Sequence, residues 1–365
     1  MTSDEDRILQ SRKCSRSEDV RKALKPHSPI ERSGFGGEVL GSFRLRVRSR
    51  DEPSIPEGCR CQLRKGSKMS NGSSHFGGRI AIAGATGRIG SALLSSLAND
   101  NADVVAFSRN PSADRLPSGL VPTVVDFDAP GSLSRAVEGV ERLFIAHGTS
   151  ARQVENEISL IDAAVAAGVR HIVKVSVMGP PVKLHPFDWH MKIEAHLATC
   201  DVGYTVLRPS AFVDILSRAT VPVSESSWGG AAGEGRVNLI DTRDIADAAR
   251  VALLDNRFAK AQRAYHLTGP ASVSMPEVAA ELSRQLGYDV TYHHRSPSEQ
   301  RDVLIRSGTS EMVADLLVGL DRLFEQSVQA ETTTTVAELT GKTPRSVAAW
   351  LADNISAFRR SPSQG

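Results

Sequence analysis

Three glycines fall within seven residues, Gly84-Ala-Thr-Gly87-Arg-Ile-Gly90. They stand between the apolar run Ile80–Ala83 and a helical pattern from Ser91 to Leu97. A strand, a tight turn and a helix in that order are suited to holding an anion. Glycine leaves no Cβ where a pyrophosphate must approach the backbone, and it tolerates the φ values of a tight turn. The following helix offers unpaired N–H groups and the positive end of its dipole. The context predicts a dinucleotide site with Gly84, Thr86, Gly87, Arg88, Ile89 and Gly90 around the phosphates. The alternative is a strand–helix turn without a ligand.

The second strand bears on which nucleotide is bound. Asp103 to Phe107 reads as that strand, and it ends in Ser108-Arg109-Asn110. An NAD site places an acid there for the ribose hydroxyls. Arg109 can instead pair with a 2′-phosphate, and Arg88 can add a second contact. NADP(H) is expected over NAD(H), which stays possible; a solvent-facing Arg109 is the alternative. Asp126 or Asp128, at the end of the third strand, can approach the adenine or serve as ordinary strand-end acids. His147, just after the fourth strand, completes the candidate cofactor contacts.

These residues need a frame. Strands are expected at Val121 to Phe127, Arg142 to Ala146, His171 to Val177, Gly203 to Arg208, Arg236 to Ile240, Tyr265 to Thr268 and Val290 to His293. Helices are expected at Pro130 to Val137, Arg152 to Ala167, Trp189 to Ala198, Asp244 to Leu254 and Ser274 to Leu286. Val154, Ile158, Ile161 and Val165 form a helical stripe. Ser274 and Glu277 read as a capping box, and Asp244 as an N-cap. Ser227 to Gly235 reads as a mobile loop. Strands alternating with helices predict an α/β fold: a doubly wound parallel sheet of the Rossmann type with right-handed crossovers. The ligand is expected over the carboxyl ends of the strands.

The organisation follows in three parts. Residues 1–76 are rich in Arg, Ser, Glu, Pro and Gly without a sustained apolar period, and are expected to be a disordered extension. Met69 is the expected natural start. Residues 77–220 are the expected nucleotide-binding core. Residues 221–365 are expected to complete the sheet and cap a substrate pocket with helices from Pro297 onward. The chain has 365 residues and a net charge of +2. Residues 1–70 hold 16 Lys and Arg against 10 Asp and Glu, so the remainder is mildly acidic. That balance argues against nucleic-acid and membrane partners. Cys14, Cys59, Cys61 and Cys200 form no disulfide framework, and a reducing, cytoplasmic location is expected. His293 and His294, adjacent on a strand, point apart, so no metal is expected. A small-molecule substrate is expected; the oligomeric state is unreadable.

Several stretches resemble the NmrA-like branch of the atypical short-chain dehydrogenases. They are Gly84 to Gly90, Ser108-Arg-Asn-Pro111, Val173-Lys-Val-Ser176, His190-x-x-Ile193-Glu194-x-x-Leu197, Tyr204 to Phe212 and Ile240-Asp-Thr-Arg-Asp244. The tail from Glu338 to Arg345 is similar to a subgroup that includes the clavine-alkaloid reductases. The resemblance spans about Gly78 to Arg359. It implies a Rossmann domain with a small C-terminal part and NADP(H) binding. It does not imply one reaction: members include quinone and imine reductases as well as redox sensors that bind nucleotide without turnover.

The short-chain dehydrogenase signature Tyr-x-x-x-Lys is missing. Four residues before Lys174, Lys183, Lys192, Lys260 and Lys342 stand Arg170, Gly179, Asp188, Asn256 and Glu338, none of them a tyrosine. Reduction of an iminium needs no proton, and a quinone can take one from a histidine. An NADPH-dependent reductase of a small planar electrophile is therefore expected; a non-catalytic NADP(H) sensor is the alternative. His190 is the candidate acid, with Glu194 one helical turn on to orient or charge it. A packing His–Glu pair is the bland alternative. Ser176 matches the family position over the nicotinamide, or satisfies local backbone. Trp189 and Phe212 are candidates to line a flat pocket or to pack in the core. Arg208 contacts ligand or forms a structural ion pair. Cys200 is a redox thiol or an inert one.

Overall fold

The computed structural model describes residues 76–110, 116, 120–179 and 186–360. The expectations for residues 1–75, the Met69 start among them, lie outside the described residues. Six strands come first: β1 Ile80–Ala83, β2 Val104–Ser108, β3 Thr123–Val124, β4 Arg142–Ile145, β5 His171–Val175 and β6 Gly203–Pro209. Then follow β7 Ala211–Phe212, β8 Gly229–Gly230, β9 Arg236–Ile240, β10 Gln262–Leu267, β11 Ser272–Ser274 and β12 His293–His294. The main sheet has the order β10-β6-β5-β4-β1-β2-β3, and every pair in it is parallel. The order reverses between β1 and β4, which places a ligand crevice beyond their carboxyl ends.

Helices cover both faces, as a parallel sheet requires. They are α1 Arg88–Ala98, α2 Ser132–Ala136, α3 Gln153–Ala166, α4 Phe187–Leu197, α5 Thr220–Ser224 and α6 Thr242–Leu254. On one face, Ile80, Ile82, Val173 and Val175 pack with Leu93 and Leu97 of α1 and Ile245 and Leu253 of α6. On the other, Ala81, Leu143, Ile145 and Ile172 pack with Leu160 and Ile161 of α3 and Ile193 and Leu197 of α4. α7 Met275–Leu286, α8 Pro297–Arg306, α9 Glu311–Glu325, α10 Thr335–Thr340 and α11 Val347–Asn354 follow. Val213, Val237, Leu282 and Trp350 belong to a third apolar cluster in this part of the chain.

Several expected boundaries move. The third strand shrinks to two residues at the sheet edge, where Val121 and Val124 are exposed. Asp241 caps α6 by accepting from the Arg243 N–H. Asp244 sits inside the first turn, where it accepts from the backbone and side chain of Arg345. Ser227 to Gly235 is tied down: Trp228 is buried edge-on to Tyr292 with ring centroids 5.2 Å apart, and β8 pairs with β12. The Ser274–Glu277 capping box is present at α7.

The turn after β1 is packed backbone against backbone. Gly84 has φ +87°, and a Cβ on it would overlap the carbonyl oxygen of Ala146. A Cβ on Gly90 would overlap the carbonyl oxygen of Gly84. Gly90→Ala must therefore push α1 off β1. The expected cost is about 1–3 kcal/mol of stability, together with weaker nucleotide binding, read by urea denaturation and by NADPH titration. Unchanged stability and affinity would overturn this account of the turn.

Candidate functional site

The crevice at the strand reversal holds two cavities that share Gly84, Gly87, Ala146, His147 and Gly148. The first, about 280 Å³, lies toward β2 and β3 and is lined by Thr86, Arg109, Phe127, His147, Gln153 and Asn156 among others. The second, about 420 Å³, lies toward β5 and β6 and is lined by Ser176, Phe187, His190, Phe212, Phe324 and Gln329 among others. Together they form one groove across the carboxyl ends of the strands.

The shared floor fits a dinucleotide. Gly87 precedes α1 in an extended conformation and makes no side-chain cap bond, so the first N–H groups of α1 are left for a ligand. Gln153 is buried in the wall of the first cavity, and its Oε1 has no hydrogen-bond partner among the described residues. A buried acceptor without a partner is costly unless a ligand or water supplies one. Arg109 is exposed at the rim and makes no ion pair among the described residues. His147 packs edge-on against Phe127, centroids 5.5 Å apart. Burial lowers its pKa, so it is a neutral, largely apolar wall.

Two expected cofactor contacts sit elsewhere. Arg88 lines the second cavity and pairs with Asp214 at 3.4 Å; it is not brought beside Arg109. The helical start after Gly87 turns its side chain toward the segment following β7. Asp126 does not line the first cavity, whose wall is made by Val125 and Phe127 on either side of it. Its carboxylate accepts from the Asp128 N–H at 2.9 Å.

The second cavity is largely apolar, with a polar edge built by α4. His190 Nδ1 lies 3.1 Å from the Nζ of Lys174. Lys174 is fully buried, 2.7 Å from Glu157, which is also fully buried. Burial, and then the Lys174 charge, lower the His190 pKa to about 2. The ring is therefore neutral at physiological pH and carries its proton on Nε2, opposite the lysine. Glu194 does not reach His190. It accepts from Ser176 Oγ and pairs with Arg208, with Nε to Oε2 at 3.1 Å. The expected His190–Glu194 pairing is thus replaced by two separate networks.

Trp189 does not line the cavity. α4 starts at Phe187, two residues earlier than expected, and Phe187 fills the place over Gly179. Leu316, Leu320 and Phe324 of α9 form the far wall with Gln329. Gln329 is buried, donates to the Met178 carbonyl at 2.6 Å, and leaves Oε1 without a partner among the described residues. Nothing in the local pattern marked Phe324 or Gln329. Lys174 did carry a signal: it is a lysine inside an otherwise apolar strand.

Residues 84–256 match the NAD(P)H-binding family. The chain is also 31% identical over 277 residues to Quinone oxidoreductase 2 of Escherichia coli (strain K12), across 71% of this chain and 96% of that protein. The chain belongs to the NmrA-like family of NAD(P)-binding oxidoreductases. This NmrA-like protein is 32% identical over 208 residues to agroclavine dehydrogenase of Claviceps fusiformis, across 54% of this chain and 68% of that protein. It also superposes with a TM-score of 0.69 on the crystal structure of the E. coli NADPH-dependent quinone oxidoreductase solved with NADPH. That structure is 27% identical, and the match covers 76% of this chain and 99% of that one.

Away from the groove, Asp162, His196 and Cys200 bring one ligand atom each within 4.8 Å of one another. His196 Nε2 is engaged by Asp162 at 2.6 Å. Burial, then the Asp162 charge, raise the Cys200 thiol pKa, which opposes the thiolate a metal needs. Among the described residues no helix is long and apolar enough to cross a membrane.

Two histidines give the NmrA-like protein an acid-sensitive core. Burial lowers the pKa of His171 to about 4 and that of His190 to about 2. The unfolded chain protonates both below about pH 6.5, whereas the folded chain resists. Their contribution to stability is therefore complete above about pH 6.5 and is lost progressively as pH falls, for His171 down to about 4. Urea midpoints are expected to drop steadily from about pH 7 to about pH 4.5, less steeply in His190→Phe. A flat profile would overturn the assignment.

Proposed function

We propose that this NmrA-like protein is an NADPH-dependent reductase of a small planar electrophile, of quinone or imine type. The observation that carries this reading is the second cavity, an apolar slot between Phe187, Phe212 and Phe324 that presents the neutral His190 at its edge. The likeness to a quinone oxidoreductase supports the same reading. In it, residues 77–220 bind the nucleotide, and residues 221–365 supply the edge strand β10 and the α9 wall.

When bound, NADPH supplies a hydride from its nicotinamide. The chain's own residues do the rest. The glycine turn and the first N–H groups of α1 hold the pyrophosphate. Arg109, with no carboxylate partner among the described residues, selects the 2′-phosphate of NADP(H) over NAD(H). The three phenylalanines exclude water and align a flat ring. His190 donates from Nε2 to an oxygen on which negative charge develops. Ser176 donates its hydroxyl hydrogen bond to Glu194, so its oxygen lone pairs are left to accept on the slot side. Gln329 Oε1 offers a second acceptor at the α9 side.

Arg109→Ala is expected to weaken NADPH binding about 10- to 100-fold, the loss of one charge-assisted contact, and to leave NADH binding within about twofold. Fluorescence titration of both nucleotides checks this; equal losses would assign Arg109 no role in selection. The activity itself is tested by NADPH oxidation with a panel of quinones and cyclic imines. Quinone turnover that falls at least about 100-fold in His190→Ala is expected, whereas reduction of a cationic iminium is expected to stay within about twofold. Stoichiometric binding without consumption across the panel would replace the reductase with a nucleotide sensor.

A further inference from the structure

A line of buried polar side chains runs beneath the groove from one cavity to the other. It begins at Gln153, in the wall of the first cavity, whose Nε2 donates to Glu157 at 2.9 Å. Glu157 lies 2.7 Å from the Lys174 ammonium. Lys174 donates to the Val175 carbonyl at 2.6 Å and stands 3.1 Å from His190 Nδ1. His190 then lines the second cavity. Lys174 and Glu157 are both completely removed from solvent.

A buried ion pair is weak evidence for stability, because desolvation of two charges offsets their attraction. A hydrophobic residue at position 174 would suit its strand better: Ile172, two residues earlier on the same face, packs into the apolar layer beside α3 and α4. The ammonium has three acceptors around it, and one of them is the imidazole that opens on the cavity. Nδ1 accepts, so the proton sits on Nε2. Among the described residues no side chain or backbone group takes that Nε2–H. The arrangement aims a donor at the slot and stands a second proton directly behind it.

We propose that Lys174, held by Glu157, is the positioning residue and proton store behind His190 in the reduction of an electrophile that ends as an oxyanion. This rests on the reductase reading above. A quinone that has accepted one hydride carries two more electrons and a negative oxygen. That oxygen forms an O–H bond with the Nε2 proton as the Nε2–H bond breaks. Nδ1 takes a proton from Lys174 Nζ, leaving a neutral amine beside the Glu157 carboxylate and a neutral imidazole of the other tautomer. After the hydroquinone leaves, water entering the cavity protonates Nε2, and the Nδ1 proton returns to Nζ. The net uptake is one proton from solvent per hydride. A cationic iminium gives a neutral amine on taking a hydride and needs none of these transfers.

The test uses the full chain with Lys174→Met/Glu157→Gln. That pair of changes removes both charges together and leaves neither one buried alone. Retained NADPH affinity and an unchanged urea midpoint at neutral pH verify folding. If the double variant fails to fold, Lys174→Arg, which keeps a charged donor but cannot release its proton, replaces it and is judged by the kcat and pH criteria alone. The first readout needs no turnover: imidazole ¹⁵N shifts of His190 without ligand. The wild type is expected as a single Nε2–H tautomer, and the double variant as a mixture. The second readout is quinone reduction, expected to fall about 10- to 100-fold in kcat at neutral pH with KM unchanged. It is expected to recover partly as pH is lowered, while reduction of a cationic iminium stays within about twofold. An unchanged tautomer, a kcat within about twofold of wild type, or a loss equal at every pH would overturn the relay. Absence of NADPH consumption by the wild type with every acceptor would overturn the reductase reading, and the relay with it.

Discussion

Everything at the site depends on how closely the end of β1 is approached from both sides. The Gly84 carbonyl occupies the space a Cβ on Gly90 would need, and the Ala146 carbonyl occupies the space a Cβ on Gly84 would need. Two backbone contacts without side chains thus draw α1 and the end of β4 against the same turn. That approach lets the first N–H groups of α1 and the β4 carboxyl end face one crevice. It also lets the two cavities meet over a shared floor. A longer turn or one larger residue would separate them.

The two cavities differ in what surrounds them. The first is bounded by the ends of β2, β3 and β4 and by α3, and its charge is the exposed Arg109. The second is bounded by α4, by the segment after β6 and by α9, and most of its wall is aromatic or aliphatic. Such a division suits a polyanionic nucleotide on one side and a flat apolar ring on the other. It also separates Arg88 from Arg109. Arg88 turns toward Asp214, whose carboxyl is itself raised in pKa by burial.

Charge beneath the second cavity is kept in two closed networks. Lys174 answers Glu157 and His190; Arg208 answers Glu194, which in turn holds Ser176. Burial, and then the ammonium behind it, hold the His190 pKa down, so the ring stays a neutral imidazole.

Local patterns along the chain set the frame. Alternating strands and helices, the glycine turn, the Ser274 capping box and the basic end of β2 are local patterns. Each was legible because its cause lies within a few residues: chain sterics, side-chain period or an unpaired N–H. Partners across elements were not legible in this way. Whether Glu194 meets His190 or Arg208 depends on the register of β6 beside α4. Whether Phe187 or Trp189 faces the slot depends on a two-residue shift in where α4 begins. Phe324 and Gln329 reach the cavity from more than 100 residues away in the chain. The burial of Lys174 between α3 and α4 is likewise a product of layer packing. Only the tertiary structure decides these, because a side chain's protonation and reach are set by the groups that other elements bring against it.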